Sequence, residues 1–140
     1  MEHGRLQRFV EAQDADGTYE RALAELRAGR KTSHWMWFVF PQLAGLGRSE
    51  MSRRYAIASA SEARDYLAHP VLGPRLLASA EAMLGHDDIS AEEILGAIDA
   101  VKLRSSMTLF AAATPEQPVF QRVLDRYFDG APDEETRRRL

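Results

Sequence analysis

Cysteine is absent from the 140 residues, which removes disulfides, iron–sulfur clusters and thiolate metal sites from consideration. Long apolar runs are missing as well. No stretch approaches the roughly 18 residues of a membrane span, and the N-terminal MEHGRLQRFVEAQ lacks the apolar centre of a signal peptide. These two gaps set the expectation of a cytoplasmic protein with no membrane partner. The four histidines, His3, His34, His69 and His86, share no ligand spacing such as H-x-x-x-H, so neither a metal nor a cofactor is expected. An excess of positive charge is lacking too. The net charge is −3 and the sequence pI about 5.8, which weighs against nucleic acid as a partner.

Hydrophobic residues make up 45% and charged residues 28% of the chain, ordinary values for a soluble globular protein. A chain of this length fits one domain over 1–140, large enough to bury a core without staples. The charge is unevenly spread. Residues 27–54 hold six basic side chains against one acid, a net +5, whereas residues 61–100 hold two against eight, a net −6. The basic stretch also carries both tryptophans, a combination suited to an anionic ligand.

Helix signals dominate. TYERALAELRAGR sets Tyr19, Ala22, Leu23 and Leu26 on one face and offers Gly29 as a stop. Ser59 with Glu62, and Ser90 with Glu93, have capping-box spacing. Gly45–Ser49 resembles a phosphate loop only superficially and reads as a turn leading to Ser49 as a helix cap. Pro118 suits a first helical turn before VFQRVLDRYF, Gly130 stops that helix, and Asp133 caps a last one through EETRRRL. The fold class expected is all-α, a single compact multi-helix domain. HWMWFVF is the one segment with strand composition, but it has no second strand to pair with. The reading adopted is a short buried helix over residues 34–40, capped by Ser33 and ended near Pro41.

A helix that is apolar all round belongs in a core, so packing accounts for Trp35, Met36, Phe38, Val39 and Phe40. The polar groups at its ends carry the functional suspicion. Arg30, Lys31 and Ser33 lead into a helix N-terminus, where free N–H groups favour anions. His34 is a general base, a hydrogen-bond donor to a ligand, or a histidine satisfying a carbonyl at the core edge. In AIDAVKLRSSMTLF, Asp99, Lys102 and Ser106 fall at i, i+3 and i+7 and form a polar stripe, flanked by Ser105. Asp99 and Lys102 suit a local ion pair, and the two serines suit either close helix packing or a ligand.

The stretches GRK.SHWMWFVFPQ..GLG.S, YAI, EA..YL.HP.LG.RL and D..KLRSSMTLF, followed by VF..VL..Y..G..D..T, resemble a widespread bacterial domain-of-unknown-function family sometimes labelled calpastatin. The resemblance runs from Phe9 to Leu140. It implies a mainly α-helical fold and no particular reaction. It marks Gly29, Arg30, Lys31, Ser33, His34, Trp35, Trp37, Pro41, Gln42, Lys102, Ser105 and Ser106 as family-typical.

Three readings follow. In the first, the two motifs meet in a pocket for a small anionic, nucleotide-like ligand. Arg30, Lys31, Ser33, Trp37, Gln42, Ser105 and Ser106 bind it, and Lys102 adds charge. In the second, the same pocket is catalytic, with His34 as acid–base group and Lys102 as electrophilic stabiliser. In the third, the chain is a structural or protein-interaction module. Convergence of His34, Gln42, Lys102 and Ser106 on one cavity separates them.

Overall fold

A computed structural model describes the chain from residue 2 onward, with side chains from residue 4. In order come α1 (Glu2–Asp14), a 3-10 turn (Ala15–Gly17), α2 (Thr18–Ala28), α3 (Met36–Val39), α4 (Glu50–Arg54) and α5 (Ala60–Ala68). They are followed by α6 (Leu72–Leu84), α7 (Ala91–Leu95), α8 (Ala97–Ala113), α9 (Val119–Phe128) and α10 (Glu134–Arg139). The fold is all-α. Among the described residues the one β feature is an isolated parallel bridge between Leu43 and Ile57, closed by Ile57 N–H to Gln42 O at 2.9 Å and Ala44 N–H to Ile57 O at 2.8 Å.

The caps follow the local chemistry. Ser49, Ser59, Ser90 and Asp133 each accept a backbone N–H of the first turn that follows, and only Ser90 with Glu93 completes the reciprocal box. At Ser59 the box is half made, because Glu62 Oε1 takes the Ala58 N–H instead. Pro118 stands one position before α9, as its N-cap. His69 performs a role that the sequence did not suggest: its Nδ1 accepts the N–H groups of Val71 and Leu72 at the start of α6.

Helix α8 is the axis, packed against α5, α7, α9 and α10. It can sit there because its apolar residues point in several directions: Leu103, Met107, Leu109 and Phe110 are all fully buried. A row of ring contacts, Phe9–Tyr66, Tyr66–Phe110 and Phe110–Phe120, with centroids 5.2–5.6 Å apart, ties α1, α5, α8 and α9 together. Gly73 is needed for the close approach of α6 to α5, since a Cβ there would strike the Leu67 carbonyl.

The HWMWFVF segment departs from the expected helix. Only Met36–Val39 are helical, Trp35 is the N-cap, and no side chain caps the turn. Its burial follows the pattern read from the sequence: Trp35, Met36, Phe38, Val39 and Phe40 are buried, whereas Trp37 is half-buried and His34 exposed. The helix ends where Gln13, itself buried, donates from Nε2 to Phe38 O at 2.7 Å. A side chain from α1 thus takes a carbonyl that a longer helix would have used.

Candidate functional site

Two carboxylates organise the SHWMWFVF motif, and neither lies within it. The first is Glu25, in the last turn of α2. That helix ends at Gly29, in the left-handed region at φ 79°, with Gly29 N–H on Leu26 O and Arg30 N–H on Glu25 O. This paired closure folds residues 30–35 back over the helix end. Glu25 Oε1 there accepts the N–H of Thr32 at 2.9 Å, of Ser33 at 3.1 Å and of the Trp35 indole at 2.9 Å, and Oε2 accepts the Ser33 hydroxyl at 2.6 Å. Partial burial works to raise the carboxyl pKa, but the four hydrogen bonds together outweigh it and hold the group at about 2.

This corrects the reading of Ser33. It is not a helix cap, and its N–H and hydroxyl do not await an external anion; the protein's own Glu25 occupies them. One signal in the sequence marked Glu25. An acid in the last turn of a helix opposes the helix dipole, so it calls for compensating donors.

The second carboxylate is Asp99, near the start of α8. Lys31 Nζ lies 2.9 Å from Oδ2 and Lys102 Nζ 3.5 Å from Oδ1. The expected local pair of Asp99 and Lys102 is therefore one half of a bridge that also recruits Lys31, 68 residues before Asp99 in the chain. Each ammonium also sits 5.2 Å from the centroid of an indole ring, Lys31 over Trp35 and Lys102 over Trp37, in range for a cation–π contact. Lys31 is fixed further by its backbone N–H on Ile94 O at 2.7 Å. Its side chain is 9% exposed, that of Lys102 20% and that of Asp99 17%.

The two motifs thus meet at Lys31, Trp35, Trp37, Asp99 and Lys102. The side chains of the other expected members make no hydrogen bond or ion pair with these five. Arg30 and His34 are exposed, and neither side chain makes a hydrogen bond or ion pair among the described residues. His34 is therefore neither oriented as a base nor satisfying a carbonyl. His86 does the latter instead, with Nε2 2.7 Å from Leu26 O. Gln42 contributes only its backbone carbonyl, and Ser105 returns its hydroxyl to Val101 O at 3.3 Å.

Ser106 is different. It is fully buried and its hydroxyl has no hydrogen-bond partner among the described residues, although the buried hydroxyls of Ser79, Ser105, Thr108 and Thr114 all bond to the carbonyl four residues back.

A cleft of about 380 Å³ borders Asp99, lined by Leu95, Gly96, Ala97 and Ile98. Three further clefts lie around α8–α10, α6–α9 and α5–α6. None of these four includes His34, Gln42, Lys102 or Ser106, so the expected convergence of those side chains on one of them does not occur. Among the described residues no three His, Asp or Glu side chains gather as metal ligands, and His3 lies outside the described side chains. No described helix is long and apolar enough to cross a membrane.

The comparisons agree with this architecture. The family model described as Protein of unknown function (DUF1810) matches residues 3–140. The chain belongs to that family. Among solved structures it is similar to the conserved hypothetical protein Rv1873 from Mycobacterium tuberculosis, at 49% identity and a TM-score of 0.93, over 96% of this chain and 95% of that one. No curated protein matches. This DUF1810 chain therefore shares its helical fold with a solved relative whose description states no activity.

Proposed function

We propose that this DUF1810 protein is a cytoplasmic binding module for a small anionic ligand with a planar group, taken up at the Lys102–Trp37 edge of the Asp99 cluster. The observation that carries the reading is the meeting of two lysines from distant segments on one carboxylate, each ammonium over a tryptophan. Two cations around one acid leave a local surplus of one positive charge. Lys102 and half-buried Trp37 present it to solvent. An incoming phosphate or carboxylate would exchange Asp99 for itself at Lys102, while Lys31 keeps Asp99 in place. The exposed part of the Trp37 ring offers a surface for a flat group. Lys102 and Trp37 line none of the four clefts above, and micromolar or weaker affinity is expected of a site built on these two side chains.

A catalytic role for His34 draws less support, because nothing orients the imidazole. The test of the binding reading is calorimetric titration with inorganic phosphate, adenosine monophosphate and a neutral nucleoside. Binding of the monophosphate that weakens with salt, and is lost in Lys102→Ala and in Trp37→Ala, supports it. Equal heats from wild type and both variants would rule it out.

A further inference from the structure

Three large hydrophobic side chains are exposed among the described residues: Ile98 at 75%, Val101 at 62% and Leu140 at 45%. Two of them are i, i+3 neighbours on α8 and form one ridge. Beside the ridge runs the cleft of about 380 Å³ that Ile98 shares with Leu95, Gly96 and Ala97. Gly96 keeps that side open, since nothing lies within 4 Å of where a Cβ would stand. A projecting ridge next to a hollow of apolar lining is a shape that can receive its own copy.

The charges around the ridge are ordered in the same sense. At its N-terminal end stand the exposed acids Glu92 and Glu93 of α7. Toward its C-terminal end are Lys102 and Arg104. Glu93 is engaged in the α7 capping box, Lys102 shares Asp99, and Arg104 gives its Nε–H to the neutral carbonyl of Ala131 at 3.0 Å. Glu92 has no ion-pair partner and Arg104 no carboxylate partner among the described residues. A two-fold axis through the ridge would turn the acidic end of one copy onto the basic end of the other. Glu92 would then meet Arg104, whose guanidinium within one chain has only the Phe128 ring and the Ala131 carbonyl beside it, while the apolar side chains close over each other's cleft. Such an isologous contact needs one patch that complements itself.

We infer that the Ile98–Val101 face of α8 is a self-association surface, and that its occupant is a second copy of this chain in antiparallel register. The ridge is only two side chains wide, so the dimer is weak and reversible, forming at about 10–100 µM. The cleft also borders Asp99, so this surface adjoins the ligand site, but Ile98, Val101, Glu92 and Arg104 take no part in that site, and a chain that binds no anion can still dimerise.

Sedimentation equilibrium of the full chain from about 1 to 500 µM tests it. The wild type is expected to pass from a one-chain to a two-chain mass. Ile98→Asp, at an exposed position that leaves the helical circular dichroism unchanged, is expected to weaken association at least tenfold. Glu92→Lys should weaken it several-fold, and Glu92→Lys with Arg104→Glu should restore it. A one-chain mass for the wild type at every concentration overturns the inference, as does a dimer that Ile98→Asp leaves intact. Failure of the double charge reversal to recover association overturns the antiparallel register.

Discussion

Glu25 and Asp99 are both carboxylates beside the same motif, yet they hold their partners in opposite ways. Glu25 is saturated. It takes four hydrogen bonds from three residues of one loop, Thr32, Ser33 and Trp35, and so ties that loop back to the end of α2. Asp99 is shared between two cations that retain other contacts and partial exposure. The first arrangement consumes its donors and can only hold structure. The second leaves one positive charge over, and the proposed exchange of Asp99 for an anion at Lys102 rests on that surplus.

The sharpest way to break this comparison is to truncate the two tryptophans. Trp35→Ala removes a fully buried ring and its bond to Glu25, and is expected to cost about 3–5 kcal/mol in denaturant unfolding. Trp37→Ala, at a partly buried position packed against the core, is expected to cost less than Trp35→Ala, about 1–3 kcal/mol, with an added effect on anion binding. Similar losses of stability from both would remove the distinction.

Next in size, Glu25→Ala leaves four donors without their acceptor and should cost about 2–3 kcal/mol. The matching change, Asp99→Ala, is expected to cost less. Lys102 can turn to solvent, whereas Lys31, 9% exposed, keeps only its contact with the Trp35 ring, so the loss should be about 1–2 kcal/mol. A Glu25 variant as stable as the wild type would place the hold on this loop elsewhere.

The pH dependence separates the two carboxylates again. The Glu25 pKa is lowered in the fold, to about 2, from an ordinary value near 4.3. Its contribution to stability is therefore complete above the unfolded value and declines as pH falls from about 5 through about 2. Difference melting curves of wild type and Glu25→Gln should converge over that window. A gap that persists unchanged at pH 2 would mean that the charge on Glu25 is not what holds the loop.

The smallest expected effect is that of Ser106→Ala, which removes a buried hydroxyl with no partner. It should be neutral or raise the melting temperature by a few degrees, since an unpaired buried polar group costs stability. The same change at Thr114, whose hydroxyl bonds Phe110 O at 2.6 Å, should lower it.

Much of this fold could be read from single residues. Ser49, Ser90, Asp133 and Gly29 end or begin helices by chemistry confined to one turn, so the local sequence carried the information. The Met36–Val39 turn was harder. Its composition called for burial, and burial is what it has, and it ends beside Pro41 as expected, but it starts only at Met36 because Glu25 holds Ser33 and the Trp35 indole outside the helix. The candidate site divides in the same manner. The i, i+3 spacing of Asp99 and Lys102 announced their pairing, whereas Lys31 arrived at Asp99 only because the chain closes over α2 and docks on Ile94.

The sequence by itself determined a cysteine-free helical chain with its turns marked, an apolar core segment and a locally basic stretch. Tertiary structure alone decided which charges would be spent inside the fold. Ser33 looked free to hold an anion until α2 brought Glu25 to it, whereas exposed His34 is taken up by no hydrogen bond or ion pair among the described residues. The physical reason is range. Caps and stops are fixed by groups within one helical turn, while the fate of a polar side chain depends on which distant carboxylate or carbonyl the folded chain delivers to it.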